Sequence, residues 1–159
     1  MEPFEATAGD RHDSSERIAA MSGVAFVVLR TGERIDFLLE TPELLRMEVT
    51  WQKSGARAIR HAHPGMEERW EVLEGRAAFQ VDGVTIEAGP GSWVVAPMGR
   101  PHLAWNPTAE PVRLHIEMRP ALRWADFVRR LFAGDEAAGL LQNYADEIVL
   151  APVGRSPES

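Results

Sequence analysis

The chain has no cysteine, which excludes disulfides, thiolate metal ligands and cysteine nucleophiles. Lys53 is its single lysine, so amine chemistry of the Schiff-base kind is ruled out unless that one side chain faces a pocket. It has no apolar run approaching the roughly 18 residues that a membrane-spanning helix needs. Residues 1–20 are polar and charged and carry no apolar core of a secretory signal. Basic charge is also scarce: the net charge of −7 argues against nucleic acid as a partner, because phosphate binding needs a basic face. These absences leave a soluble protein free of disulfides, and the expected compartment is the cytoplasm.

The 159 residues, 45% hydrophobic and 26% charged, are enough for one domain with a buried core. Polar residues 1–20 show no periodicity and read as a tail, with His12 a bystander, and the end of the chain, 151–159, reads the same way. Between them, short runs of period-2 alternation mark half-buried strands. Ile35, Phe37 and Leu39 form one such set, and Leu45, Met47, Val49 and Trp51 another. Further runs are Arg69–Glu74, Arg76–Val81, Val84–Glu87, Ser92–Ala96, His102–Asn106 and Pro111–Met118. Turn formers separate them, and Asp82-Gly83 suits a two-residue hairpin because both residues tolerate positive φ. Many short strands at close spacing predict an all-β, antiparallel sandwich or barrel over 21–120.

After Pro120 the period changes. Leu122, Ala125, Phe127, Val128, Leu131 and Phe132 follow helical spacing, and Gly134 is a stop signal. A second helical stretch runs from Asp135 to Glu147. These helices, within 121–150, are expected to pack an apolar stripe on the outside of the sheet. The alternatives are that they cover a barrel mouth or meet a partner subunit.

The chemistry lies in two blocks. In the first, His61 and His63 stand two apart in an extended segment, so both imidazoles project from one face. The Pro64-Gly65 turn then reverses the chain, and Glu68 on the following strand can face the same space; Glu67 takes its place if the turn register differs. In the second block, a strand ends at Pro97, Gly99 turns, and His102 opens the next strand. Three imidazoles and one carboxylate suit a divalent Mn, Fe, Co, Ni, Cu or Zn ion. On an octahedral ion they leave two open positions, as a catalytic rather than a structural metal requires.

These blocks resemble the two signature motifs of the cupin superfamily. The first motif, Gly, five residues, His-x-His, four residues, Glu, six residues, Gly, maps onto Gly55, His61, His63, Glu68 and Gly75. The second, Gly, five residues, Pro-x-Gly, two residues, His, three residues, Asn, maps onto Gly91, Pro97, Gly99, His102 and Asn106. The resemblance implies a jelly-roll barrel of about six to eight antiparallel strands, often a homodimer, with His61, His63, Glu68 and His102 binding one metal ion inside it. The metal set resembles that of cupin dioxygenases acting on enolisable or phenolic small molecules, with Glu68 either a ligand or a general base. Cyclases, isomerases and lyases in which the metal only polarises a carbonyl are the second class, and a binding cupin without turnover the third.

For the substrate pocket, Trp70 shares parity with Glu68 and is the candidate aromatic wall. Asn106 shares a face with His102, though in this family it more often serves structure. His115 is inert if Arg113, His115 and Glu117 face solvent, and a substrate contact if they face the cavity.

Overall fold

The computed structural model describes residues 26–28, 33–52, 55–56 and 59–151. Of the two segments read as tails, 1–20 and 151–159, all but Ala151 lie outside these residues, as do His12 and Lys53. The chain runs β1 (Phe26–Val28), β2 (Arg34–Glu40), β3 (Leu45–Trp51), β4 (Gly55–Ala56), β5 (His61–Ala62), β6 (Glu67–Glu74), β7 (Ala77–Val81), β8 (Val84–Ala88), β9 (Trp93–Ala96), β10 (His102–Asn106) and β11 (Val112–Arg119). Helices α1 (Trp124–Phe132) and α2 (Ala137–Asn143) follow, and β12 (Val149–Leu150) closes the series. Among the described residues no helix is long and apolar enough to cross a membrane.

The strands form two antiparallel sheets. One has the order β1-β2-β3-β11-β6-β9, the other β12-β5-β10-β7-β8, with β4 pairing to β10. This is the all-β antiparallel architecture that the alternation predicts and the jelly roll that the resemblance implies, with the helices that the spacing after Pro120 predicts. Period-2 patterning holds through the central strands: β3 buries Leu45, Met47, Val49 and Trp51, and β11 buries Val112, Leu114, Ile116 and Met118. The two sets pair with one another on the inner face of one sheet, and burying such side chains is the main drive for closing the sandwich.

The turns follow local chemistry. Val81 pairs with Val84, and between them Asp82 and Gly83 both take positive φ, 51° and 84°, as a type I′ hairpin requires. Gly75 is fixed by close approach: at φ 79°, an added Cβ would stand 2.7 Å from the Pro111 carbonyl oxygen.

Two expectations are corrected. Leu39 is exposed rather than inward, because the β2–β3 register slips between Phe37 and Leu39 and a bulge ends the alternation. The helices do not pack on the outer face of a sheet. Trp124, Phe127, Val128, Leu131 and Phe132 of α1 line the cavity between the two sheets, so the apolar stripe covers the barrel mouth. Gly134 follows α1 at φ 95°, as its stop signal predicts. The second helix is shorter than the stretch from Asp135 to Glu147, since the chain turns after Asn143 to enter β12.

Candidate metal centre

Strand pairing assembles the site. His61 on β5 and His102 on β10 are register partners, and His63 follows β5 just before the Pro64-Gly65 turn. Glu68 comes from β6 in the opposite sheet, where it pairs with Met118 on one side and Ala96 on the other. One donor atom from each of His61, His63, Glu68 and His102 lies within 4.8 Å of the others, and all four residues are buried. Glu67 turns outward and binds Arg69 at 2.6 Å, so the carboxylate in the cluster is that of Glu68.

Each imidazole is oriented by a backbone carbonyl. Nδ1 of His61 donates to Ile59 at 2.7 Å, Nδ1 of His63 to Glu147 at 2.8 Å, and Nδ1 of His102 to Arg100 at 3.0 Å. A proton held on Nδ1 leaves the Nε2 lone pair as the inward donor, which is the tautomer a metal ligand needs. Nε2 of His63 and Nε2 of His102 then converge on one carboxylate oxygen, Oε2 of Glu68, at 2.9 and 3.0 Å. Lone pairs and a carboxylate aimed at one point are satisfied either by extra protons on the rings or by a cation among them. The donor set therefore fits a divalent transition ion.

With no ion bound, the extra ring protons set the charges. Burial opposes the charge on Glu68, but the hydrogen bonds from His102 and His63 outweigh it and hold the carboxyl well below the usual carboxylate range. Burial, then the neighbouring His63 and His102, push His61 down to about 4. Burial also works against a charged His102, yet the hydrogen bond and charge of Glu68 prevail and raise it.

The cluster faces a cavity of about 310 Å³. Met47, Trp51 and Ile116 supply one wall and α1 another. Trp70 also lines it, as its parity predicts, with its ring 5.3 Å from that of His102 and 5.0 Å from that of Phe79.

Two candidate pocket residues lie elsewhere. Asn106 is fully buried but outside the cavity lining: its side chain bonds the Glu110 carbonyl and the Thr108 amide and hydroxyl, closing the turn after β10. His115 lies on the outer face of its sheet, because Leu114 and Ile116 take the inward positions of β11. There it meets Arg46 at 3.2 Å and the edge of Trp93 at 5.8 Å.

Two site groups escaped the sequence reading. Trp124 stands edge-on to His63 with centroids 4.7 Å apart and stacks on Phe127; its spacing of three and four from Phe127 and Val128 places it on the helical stripe. The Glu147 carbonyl that orients His63 has no sequence signature, since any residue supplies one.

Residues 47–117 match the family model described as the cupin domain. Among solved structures, an RmlC-like cupin from Shewanella frigidimarina is 22% identical, with 63% of this chain and 86% of that one covered at a TM-score of 0.54. KdgF from a Halomonas species is 18% identical over 63% of this chain and 91% of its own, TM-score 0.56. A protein with a double-stranded β-helix domain from Klebsiella pneumoniae is 20% identical over 70% and 90%, TM-score 0.52. At these identities the likeness is one of fold. A comparison with curated proteins finds no match. Motif, fold and family model agree on a cupin domain over residues 47–117.

Proposed function

We propose that this protein is a metal-dependent enzyme acting on a small, largely apolar organic molecule with an enolisable or phenolic oxygen, and that the reaction is a dioxygenation. The observation that carries this reading is the placement of the His61, His63, Glu68 and His102 cluster against an apolar cavity of about 310 Å³. A divalent ion held by these four residues supplies Lewis acidity toward an oxygen donor and, where it is redox-active, dioxygen chemistry.

The chain's own groups divide the remaining work. Trp70, Trp124 and Met47 offer flat and flexible apolar surface to a substrate ring. Helix α1 keeps bulk water away from the cluster, which strengthens every charge interaction inside it. Glu68, whose Oε2 stands where Nε2 of His63 and Nε2 of His102 converge, fits an ionised ligand better than a proton acceptor, which must be free to take up and release a proton. Among the described residues, the cavity lining contains no Lys or Arg, and Glu33 is its one charged member besides Glu68. A phosphorylated or multiply anionic substrate would find no counter-charge there, which favours a substrate with one ionisable oxygen and an apolar body.

The test begins with the metal content of tag-free protein by elemental mass spectrometry. Oxygen uptake is then followed with metal-loaded protein and a panel of phenols and 1,3-diketones. Stoichiometric oxygen consumption with both atoms in the product supports the reading. Turnover with Zn²⁺ in the absence of oxygen moves the enzyme to the cyclase, isomerase or lyase class. Substrates bound and recovered unchanged leave a binding protein.

A further inference from the structure

We propose that Arg123 and Glu147 are a positioning pair for the metal ligand His63. The inference rests on the metal-centre reading and concerns residues outside the matched family region of 47–117.

The Glu147 side chain is almost fully buried, and its carboxylate takes hydrogen bonds from Arg123, at 2.7 Å from Nη2 and 3.4 Å from Nε. The same Arg123 Nη2 donates to the Asn143 carbonyl at 2.9 Å, and the guanidinium lies 4.5 Å from the centre of the Tyr144 ring. One arginine thus grips the C-terminal end of α2 and the turn that follows. On the far side, β12 fastens to the metal-site strand: Val149 pairs with Ala62, Leu150 with His61, and the Ala151 amide donates to the Arg60 carbonyl at 3.0 Å.

The Glu147 carbonyl sits between these two attachments and accepts the Nδ1 proton of His63 at 2.8 Å. Its direction is fixed because the residue's side chain is held on one side and the next residues are locked into a sheet on the other. That bond sets the tautomer and the ring plane of His63, and with them where Nε2 points. An apolar side chain at 147 would fill the same space without the cost of burying a carboxylate. What it would lack is a charged anchor that fixes the backbone at the carbonyl.

The test is a Co²⁺ titration of full-length protein, read by calorimetry and by the visible absorption of the bound ion, with circular dichroism to establish folding. Glu147→Gln and Arg123→Ala should each weaken Co²⁺ binding by about tenfold and shift the absorption bands. Arg123→Lys should recover part of the affinity and carries the test if Arg123→Ala does not fold. Arg113→Ala, which removes ion pairs to Glu48 and Glu74 on the outer face, should leave both readouts unchanged. In a His63→Ala background, Glu147→Gln should cost nothing further, because the ligand it positions is gone. Unchanged affinity and spectrum in Glu147→Gln and Arg123→Ala, or an undiminished loss without His63, overturns the assignment. Wild-type protein that binds no Co²⁺ overturns the metal centre itself and the pair with it.

Discussion

His61 and His102 are direct cross-strand partners of β5 and β10, their ring centroids 4.6 Å apart. This one register joins the two sequence blocks, so loss of either ring should break the site without breaking the sheet. At an ion concentration a hundred times the dissociation constant, binding adds about 2.7 kcal/mol to the folded state. For a chain of this length that raises Tm by roughly 5–10 °C. Differential scanning fluorimetry with Co²⁺ and with EDTA should show this shift in the wild type and its loss in His102→Ala. A shift of equal size in the variant would place the ion elsewhere.

The metal-free protein should have a stability maximum near neutral pH. His61 titrates at about 4 when folded against an ordinary 6.5, so between these values the unfolded chain binds the proton and the folded chain does not. Stability therefore falls as pH drops through that window, by about 3 kcal/mol in all. Glu68, whose folded pKa is depressed, adds a further loss once the pH passes below its ordinary carboxyl value. His102 acts in the opposite sense. Its raised pKa contributes stability that is complete below 6.5 and lost as pH rises through the folded value. Urea denaturation in EDTA across this range checks both arms. His61→Gln should flatten the acid arm between 6.5 and 4; an unchanged slope would assign that arm to another group.

Asn106 shows what separates a structural residue from a pocket residue. Its amide donates to the Glu110 carbonyl at 2.7 Å, and its oxygen accepts from the Thr108 amide and hydroxyl, both at 2.8 Å. Asn106→Ala leaves the Thr108 amide without its partner, while the Glu110 carbonyl keeps the Thr108 hydroxyl at 3.1 Å, and should cost roughly 1–3 kcal/mol. Chemical denaturation should register that loss, while KM stays the same once a substrate is in hand. A raised KM with unchanged stability would return Asn106 to the pocket.

The His61, His63, Glu68 and His102 cluster is legible in the sequence because strand parity and motif spacing are local properties. His61 and His63 share a face by period alone, and the turn at Pro64-Gly65 carries Glu68 back toward them. Leu39 was misplaced because a bulge breaks period-2 counting without a sequence mark. The position of α1 was open for a different reason. A stripe such as Phe127, Val128, Leu131 and Phe132 states that one face is buried, not what buries it. The Glu147 carbonyl belongs to a third kind: every residue has one, so its role appears only when backbone direction is known.

Ala104 tests whether the cavity is where chemistry occurs. It lies on β10 two residues beyond His102, lines the cavity, and is buried. Because the space before it is open, a phenyl ring there need not displace the core, and the usual overpacking cost of about 1–3 kcal/mol should be at the low end. Ala104→Phe should therefore bind the ion with wild-type stoichiometry and fold normally, yet lose at least about a hundredfold in kcat/KM, equivalent to roughly 2.7 kcal/mol of transition-state stabilisation. Elemental analysis and oxygen uptake on the same preparation give both readouts. If the variant keeps its metal and its full activity, the substrate does not use this cavity, and the apolar walls built by Trp70 and Trp124 serve the fold alone.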